Sequence, residues 1–234
     1  MKKNVLLFAS LFVLFFISCN DDDPATKSTF SIQQKQLLKK SSITNKKATA
    51  ILPGTFVFSK VLMGVSKIEF EKKFEENDVE IENEIEYKGN FEFNVLNGTS
   101  TPSLPPVDLE PGIYHELEFN VDTVLSTGNS IEINGTFDDG ITIYSFEFSS
   151  MMEEEFEIEN KNGINLSENN IASFILYLSL EELFAGIDFI SIQVDTDGII
   201  RINSNSNSKI SSKIEHNLEN IMDFEEENEQ HNDN

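Results

Sequence analysis

Apolar and polar residues alternate one for one through most of this chain. Val79, Ile81, Ile85 and Tyr87 alternate with Glu80, Glu82, Glu84 and Glu86. Phe91, Phe93 and Val95 alternate with Glu92 and Asn94. Ile113, His115, Leu117, Phe119 and Val121 alternate with Tyr114, Glu116, Glu118 and Asn120. Ile131, Ile133 and Phe137 follow the same rule, as do Phe146 and Phe148, Phe156 and Ile158, and Ile190, Ile192 and Val194. Successive side chains of a strand point to opposite faces, so this period predicts half-buried antiparallel strands with one wet face. Turn signals separate the runs: Lys88-Gly89-Asn90, Asn97-Gly98, Glu110-Pro111-Gly112, Asp138-Asp139-Gly140, Asn162-Gly163 and Asp197-Gly198. Short strands with such turns predict a mainly β fold, a single antiparallel β-sandwich or barrel over residues 52–205.

Two segments break the alternation. Residues 181–186 read as a short helical turn ending at Gly186. Residues 208–222 place Ile210, Ile214, Leu218 and Ile221 on one helical stripe, so residues 206–223 are expected to form a C-terminal helix docked on the sheets. Residues 224–234 are acidic and polar and read as a disordered tail.

The N-terminus reads as an address. Lys2 and Lys3 precede an uncharged apolar run over residues 5–17. That length suits a signal-peptide core and falls short of the roughly 20 residues that span a bilayer. Phe16-Ile17-Ser18-Cys19 then resembles a bacterial lipobox, which implies removal of residues 1–18 and lipid on the thiol of Cys19, the single Cys of the chain. Asn20, Asp21, Asp22 and Asp23 resemble the surface-export signal of Bacteroidota lipoproteins. The expected location is the outer membrane, lipid-anchored and displayed on the cell surface, with a periplasm-facing anchor as the alternative. The membrane is the expected partner. Residues 19–51 are rich in Lys, Ser, Thr and Gln and read as a flexible basic tether lifting the domain off the bilayer.

Three further segments carry a resemblance. Val65-Ser66-Lys67-Ile68-Glu69-Phe70, then Phe93-Asn94-Val95-Leu96-Asn97-Gly98, then Leu109-Glu110-Pro111-Gly112-Ile113-Tyr114 resemble the strand series of the domain-of-unknown-function 4382 family of bacterial lipoproteins. The likeness covers roughly residues 52–150 and implies a transthyretin-like, Greek-key β-sandwich. It implies no catalytic residue.

Composition narrows function by exclusion. The chain has 41 Asp and Glu against 17 Lys and Arg, a net charge of −24, which repels nucleic acid and anionic lipid. His115, His216 and His231 form no zinc or triad spacing, and no Gly-rich phosphate loop occurs. Asp195-Thr196-Asp197-Gly198 resembles half a calcium loop, but Gln193 and Ser204 fall where the terminal ligands belong, so it reads as a hairpin turn. No cofactor is expected beyond weakly held calcium. For that ion, a three-residue loop at residues 88–90 sets Glu86 opposite Glu92, and such a pair, about 5 Å apart at Cβ, can share one ion. The competing reading of those acids is a solvated face whose charge prevents edge aggregation. The expected function is a non-enzymatic binding or structural module of unknown ligand. The alternative is an extracellular hydrolase working through a carboxylate pair.

Overall fold

The computed structural model describes residues 26–34, 55–76, 79–166, 172–218 and 222–227. Over these the chain is mainly β, in open sheets. The strands are β1 (Thr26–Gln34), β2 (Thr55–Glu76), β3 (Val79–Asn94), β4 (Thr99–Thr101), β5 (Val107–Leu109), β6 (Gly112–Val121), β7 (Ile131–Asp138), β8 (Ile143–Ser150), β9 (Glu154–Leu166), β10 (Ala172–Leu178), β11 (Ile199–Ile202) and β12 (Met222–Glu227). Two short helices are α1 (Leu180–Leu183) and α2 (Ser208–Leu218).

β2 organises the larger sheet. Its sequence alternates, but the phase slips twice. Core-facing residues run Phe56 and Phe58, then Val61, Met63 and Val65, then Ile68 and Phe70. Each slip coincides with a register shift, one between Phe58 and Lys60 and one between Val65 and Lys67. An extra residue, Ser59 or Ser66, takes up a bulge and restores the apolar face to the core. One edge of β2 pairs with β3; the other pairs first with β7 up to Met63 and then with β6 from Val65. Gly64 stands at the change of partner. A Cβ there would lie 2.6 Å from the carbonyl oxygen of Asp122 and 2.9 Å from Val124, so only glycine lets the departing loop pass. The sheet continues outward from β7 through β8 to β11, and from β6 to β9.

The smaller sheet has the order β12-β10-β1-β5. Phe30 of β1 meets Phe70 and Phe93 edge-on at 6.0 and 5.8 Å, and Phe174 of β10 lies 5.1 Å from Phe70. It therefore covers the core face of β3, β2 and β6. Over β7 and β8 the cover is the 180–192 segment. Phe184 and Phe189 interlock with Phe56, Phe58, Phe137 and Phe146 at centroid distances of 4.9–5.8 Å. α2 holds this segment down. Asn217 donates to the carbonyls of Leu183 and Ala185 at the end of α1, and Ser150 of β8 donates to Glu215 at 2.6 Å. Ile214 and Leu218 are buried as the helical stripe predicts; Ile221 lies outside the described residues.

Several expectations change. The basic tether does not run unbroken to residue 51, because residues 26–34 form β1, with Phe30 and Ile32 buried. Lys88-Gly89-Asn90 is no hairpin; β3 continues through it with a bulge, Gly89 and Asn90 standing opposite Ser66, and pairs with β2 on both sides. The phase of β6 flips at a bulge between Tyr114 and Glu116, so Tyr114 is buried and Ile113 exposed. Burial pushes the Tyr114 phenol up to about 12, with the nearby Glu110 charge acting in the same sense. Residues 189–191 form a 3-10 turn rather than a strand, and residues 222–227 pair with β10 rather than lying loose. Two pairings, β1 with β10 and β11 with β8, are parallel, so the sheets are not purely antiparallel.

Candidate binding surface

Four tripeptides of one kind lie on four neighbouring strands: Glu69-Phe70-Glu71, Glu84-Ile85-Glu86, Glu116-Leu117-Glu118 and Glu157-Ile158-Glu159. The middle residues set the register. Phe70 sits opposite Ile85 on one side and Leu117 on the other, and Leu117 sits opposite Ile158. Phe70 and Leu117 are fully buried on the core face. A one-residue slip would turn every one of these to water, so the apolar row fixes the pairing.

The same register aligns the flanking acids on the outer face. One row across β3, β2, β6 and β9 is Glu86, Glu69, Glu118 and Glu157; the next is Glu84, Glu71, Glu116 and Glu159. From strand spacing, the two rows cover about 7 Å along the strands and about 14 Å across them. The four acids on β3 and β9 are exposed, whereas Glu69, Glu71 and Glu116 in the middle retain only 6–8% of their surface. One oxygen from each of Glu71, Glu116 and Glu118 falls within 4.8 Å of the others, and the same holds for Glu116, Glu157 and Glu159. Calcium binds oxygens at 2.3–2.6 Å, so ligands around one ion lie up to about 5 Å apart, which both triads match.

Basic groups border the rows. The Lys67 ammonium reaches Glu69 at 2.6 Å and Glu118 at 3.4 Å, and Lys88 reaches Glu86 at 2.7 Å. Hydrogen bonding to Glu69 outweighs burial and holds Lys67 above the usual lysine range. Burial pushes Glu118 above the usual carboxylate range, Lys67 pulls it back, and the charges of Glu69 and Glu155 add to the rise.

Of the acids singled out for calcium, only Glu86 belongs to this array. Glu92 lies six residues farther along the same strand, about 20 Å away at strand rise, in register with Gly64 and Thr101. The two do not face each other, so that pair holds no shared ion. Cys19, Asn20, Asp21, Asp22 and Asp23 lie outside the described residues, as does His231. His115 is half-buried at the β6 bulge and His216 is exposed on α2.

Residues 195–198 form a turn, with the Gly198 N–H donating to the Asp195 carbonyl and Gly198 at φ 84°, but no strand precedes it, so it is not the hairpin expected. Its acids are committed elsewhere: Arg201 bonds Asp195 and Asp197 at 2.8 Å each and reaches Glu147 at 3.3 Å. The Arg201 guanidinium holds Asp197 below its usual range. Among the described residues no helix is long and apolar enough to cross a membrane. No family model, curated protein or solved structure matches the chain.

Proposed function

We propose that this chain is a lipid-anchored outer-membrane module, a β-sandwich of the kind the 109–114 motif resembles, that works by binding through its glutamate face. The two aligned rows carry this reading. Like charges directly opposite one another destabilise a sheet, and eight carboxylates stand in register on four strands. A face that needed only to stay wet is served equally by Thr, Lys or alternating charge. Sequences that break a local rule in this way do so most often where the site has work to do. The partner that relieves the cost carries positive charge in a compact form. Divalent cation fits the oxygen triads, and a cation held there can bridge to other anionic groups at the cell surface.

The anchor rests on Cys19 and the acidic run behind it. Cys19→Ser is expected to block lipid labelling and release the chain from the membrane fraction, while the wild type labels with palmitate and sediments with membranes. Equal partition of both proteins contradicts the anchor. The binding half is tested by the melting response to calcium against sodium, with Glu71→Gln plus Glu116→Gln as the control.

A further inference from the structure

β1 opens at Thr26, seven residues beyond Cys19. A chain extends at most about 3.6 Å per residue, so the first strand starts within about 25 Å of the anchoring residue. A tether running to residue 51 would reach more than 100 Å by the same rule. β1 is not slack that can be let out. It is hydrogen-bonded between β10 and β5, and Ile32 and Phe30 are 0% and 7% exposed in the core.

The short link selects one end of the fold. Thr26 stands opposite Leu109, and the chain then turns into β6 through Ile113, which is 45% exposed. Gly112 and Ile113 pair with Leu166 and Asn165 of β9 at the same end. The opposite end is the β7–β8 turn, where Ile141 is 93% exposed. Along β2, Thr55 pairs with Asp138 beside that turn, and Lys72 pairs with Tyr114. Seventeen residues of strand separate those points, a path of up to about 56 Å. The glutamate rows begin at Glu116, four residues up β6 from Gly112, about 13 Å from this end. That exceeds the roughly 8 Å screening length at physiological salt, so repulsion of the rows by anionic headgroups is largely screened. The β2–β3 hairpin, with Glu75 opposite Glu80 and Glu76 opposite Val79, runs on past Tyr114 at this same end and is the acidic part that comes nearest the headgroups.

Resting on the lipid-anchor reading, we propose that the bilayer surface is the partner of the Thr26–Leu109–Ile113 end of the fold. The domain is held against the headgroups there. The glutamate face stands side-on to the membrane, and the Ile141 turn points away.

Lipid consumes Cys19, so Ile113→Cys and Ile141→Cys each introduce one reactive thiol for a fluorophore. The full lipidated chain is placed in vesicles of phosphatidylethanolamine and phosphatidylglycerol bearing a rhodamine-labelled headgroup. Energy transfer to rhodamine is expected to be several-fold stronger from position 113 than from position 141. A long Gly/Ser spacer inserted after Asp23 is expected to bring that ratio towards one without loss of lipid. Equal transfer from both positions, or stronger transfer from position 141, in a lipidated chain that floats with the vesicles overturns the orientation alone. A chain that carries no lipid and does not float overturns both the anchor and this inference.

Discussion

Phe184→Ala is expected to cost about 3–5 kcal/mol of stability, the range for emptying a fully buried aromatic site. Phe184 is 0% exposed and stacks on Phe56 and Phe58 at 5.1 and 5.8 Å while meeting Phe146 and Phe189 at 5.4 and 5.7 Å. Its neighbours belong to β2, β8 and the turn after α1, so collapse into the hole would have to move a sheet towards a helix. Removing it takes away one of the two rings, with Phe189, that tie the 180–192 cover to β2 and β8. Chemical denaturation with a coincident change in midpoint is the check, and for a chain of this size such a loss lowers the melting temperature by roughly 10 °C. A change below 1 kcal/mol contradicts the packing described.

Glu132→Gln is the second large effect, and it has a pH signature. Glu132 is buried on β7 and accepts from Lys60, from the Thr127 hydroxyl and from Asn129 at 2.8 Å. Burial alone would raise its pKa, but these three donors outweigh burial and lower it. The folded state therefore prefers the ionised form. That contribution is fully present above the unfolded carboxylate range near 4.3 and is lost as pH falls through the lower folded value. A hydrogen bond to a charged group contributes about 1.5–3 kcal/mol, and Gln keeps part of this network, so Glu132→Gln is expected to cost about 2 kcal/mol at neutral pH. In acid, below the folded value, the two proteins should converge. Glu118 carries the opposite sign. Its folded pKa is raised, so its penalty is present at neutral pH and is relieved as pH falls. Urea midpoints of both proteins from neutral to acid pH decide the matter, and a Glu132→Gln cost that is flat with pH contradicts it.

The strands of this fold were legible because burial on one face writes a period of two into the sequence. Where the reading failed, a bulge or a pairing partner was responsible. Ser59 and Ser66 look like ordinary polar positions, yet each is an extra residue, Ser59 against β7 and Ser66 against β6, and flips the phase of β2. The bulge beside His115 exchanged the roles of Ile113 and Tyr114 in the same way. Lys88-Gly89-Asn90 has the composition of a turn, but β2 is long enough to pair on both sides of it and so keeps β3 continuous. β1 was hidden by its polar residues; its buried positions are Ser28, Phe30 and Ile32, of which two are apolar, and its partners β10 and β5 lie far along the chain. The glutamate array was half visible. Six Glu-apolar-Glu tripeptides can be counted in the sequence, but which four align is a long-range fact fixed by Phe70, Ile85, Leu117 and Ile158. Local parity instead paired Glu86 with Glu92.

We propose that the aligned acid face takes up a compact cation. A ligand that binds only the folded chain adds stability by mass action, about 1.4 kcal/mol at tenfold its Kd. Screening of a net charge of −24 also stabilises, but any salt does that equally at matched ionic strength. The decisive measurement is the melting temperature of the full chain in millimolar calcium chloride and in sodium chloride of the same ionic strength. The wild type should melt higher in calcium alone, and Glu71→Gln plus Glu116→Gln should remove that difference. An equal rise in both salts, or a calcium rise that survives the double substitution, would contradict the claim.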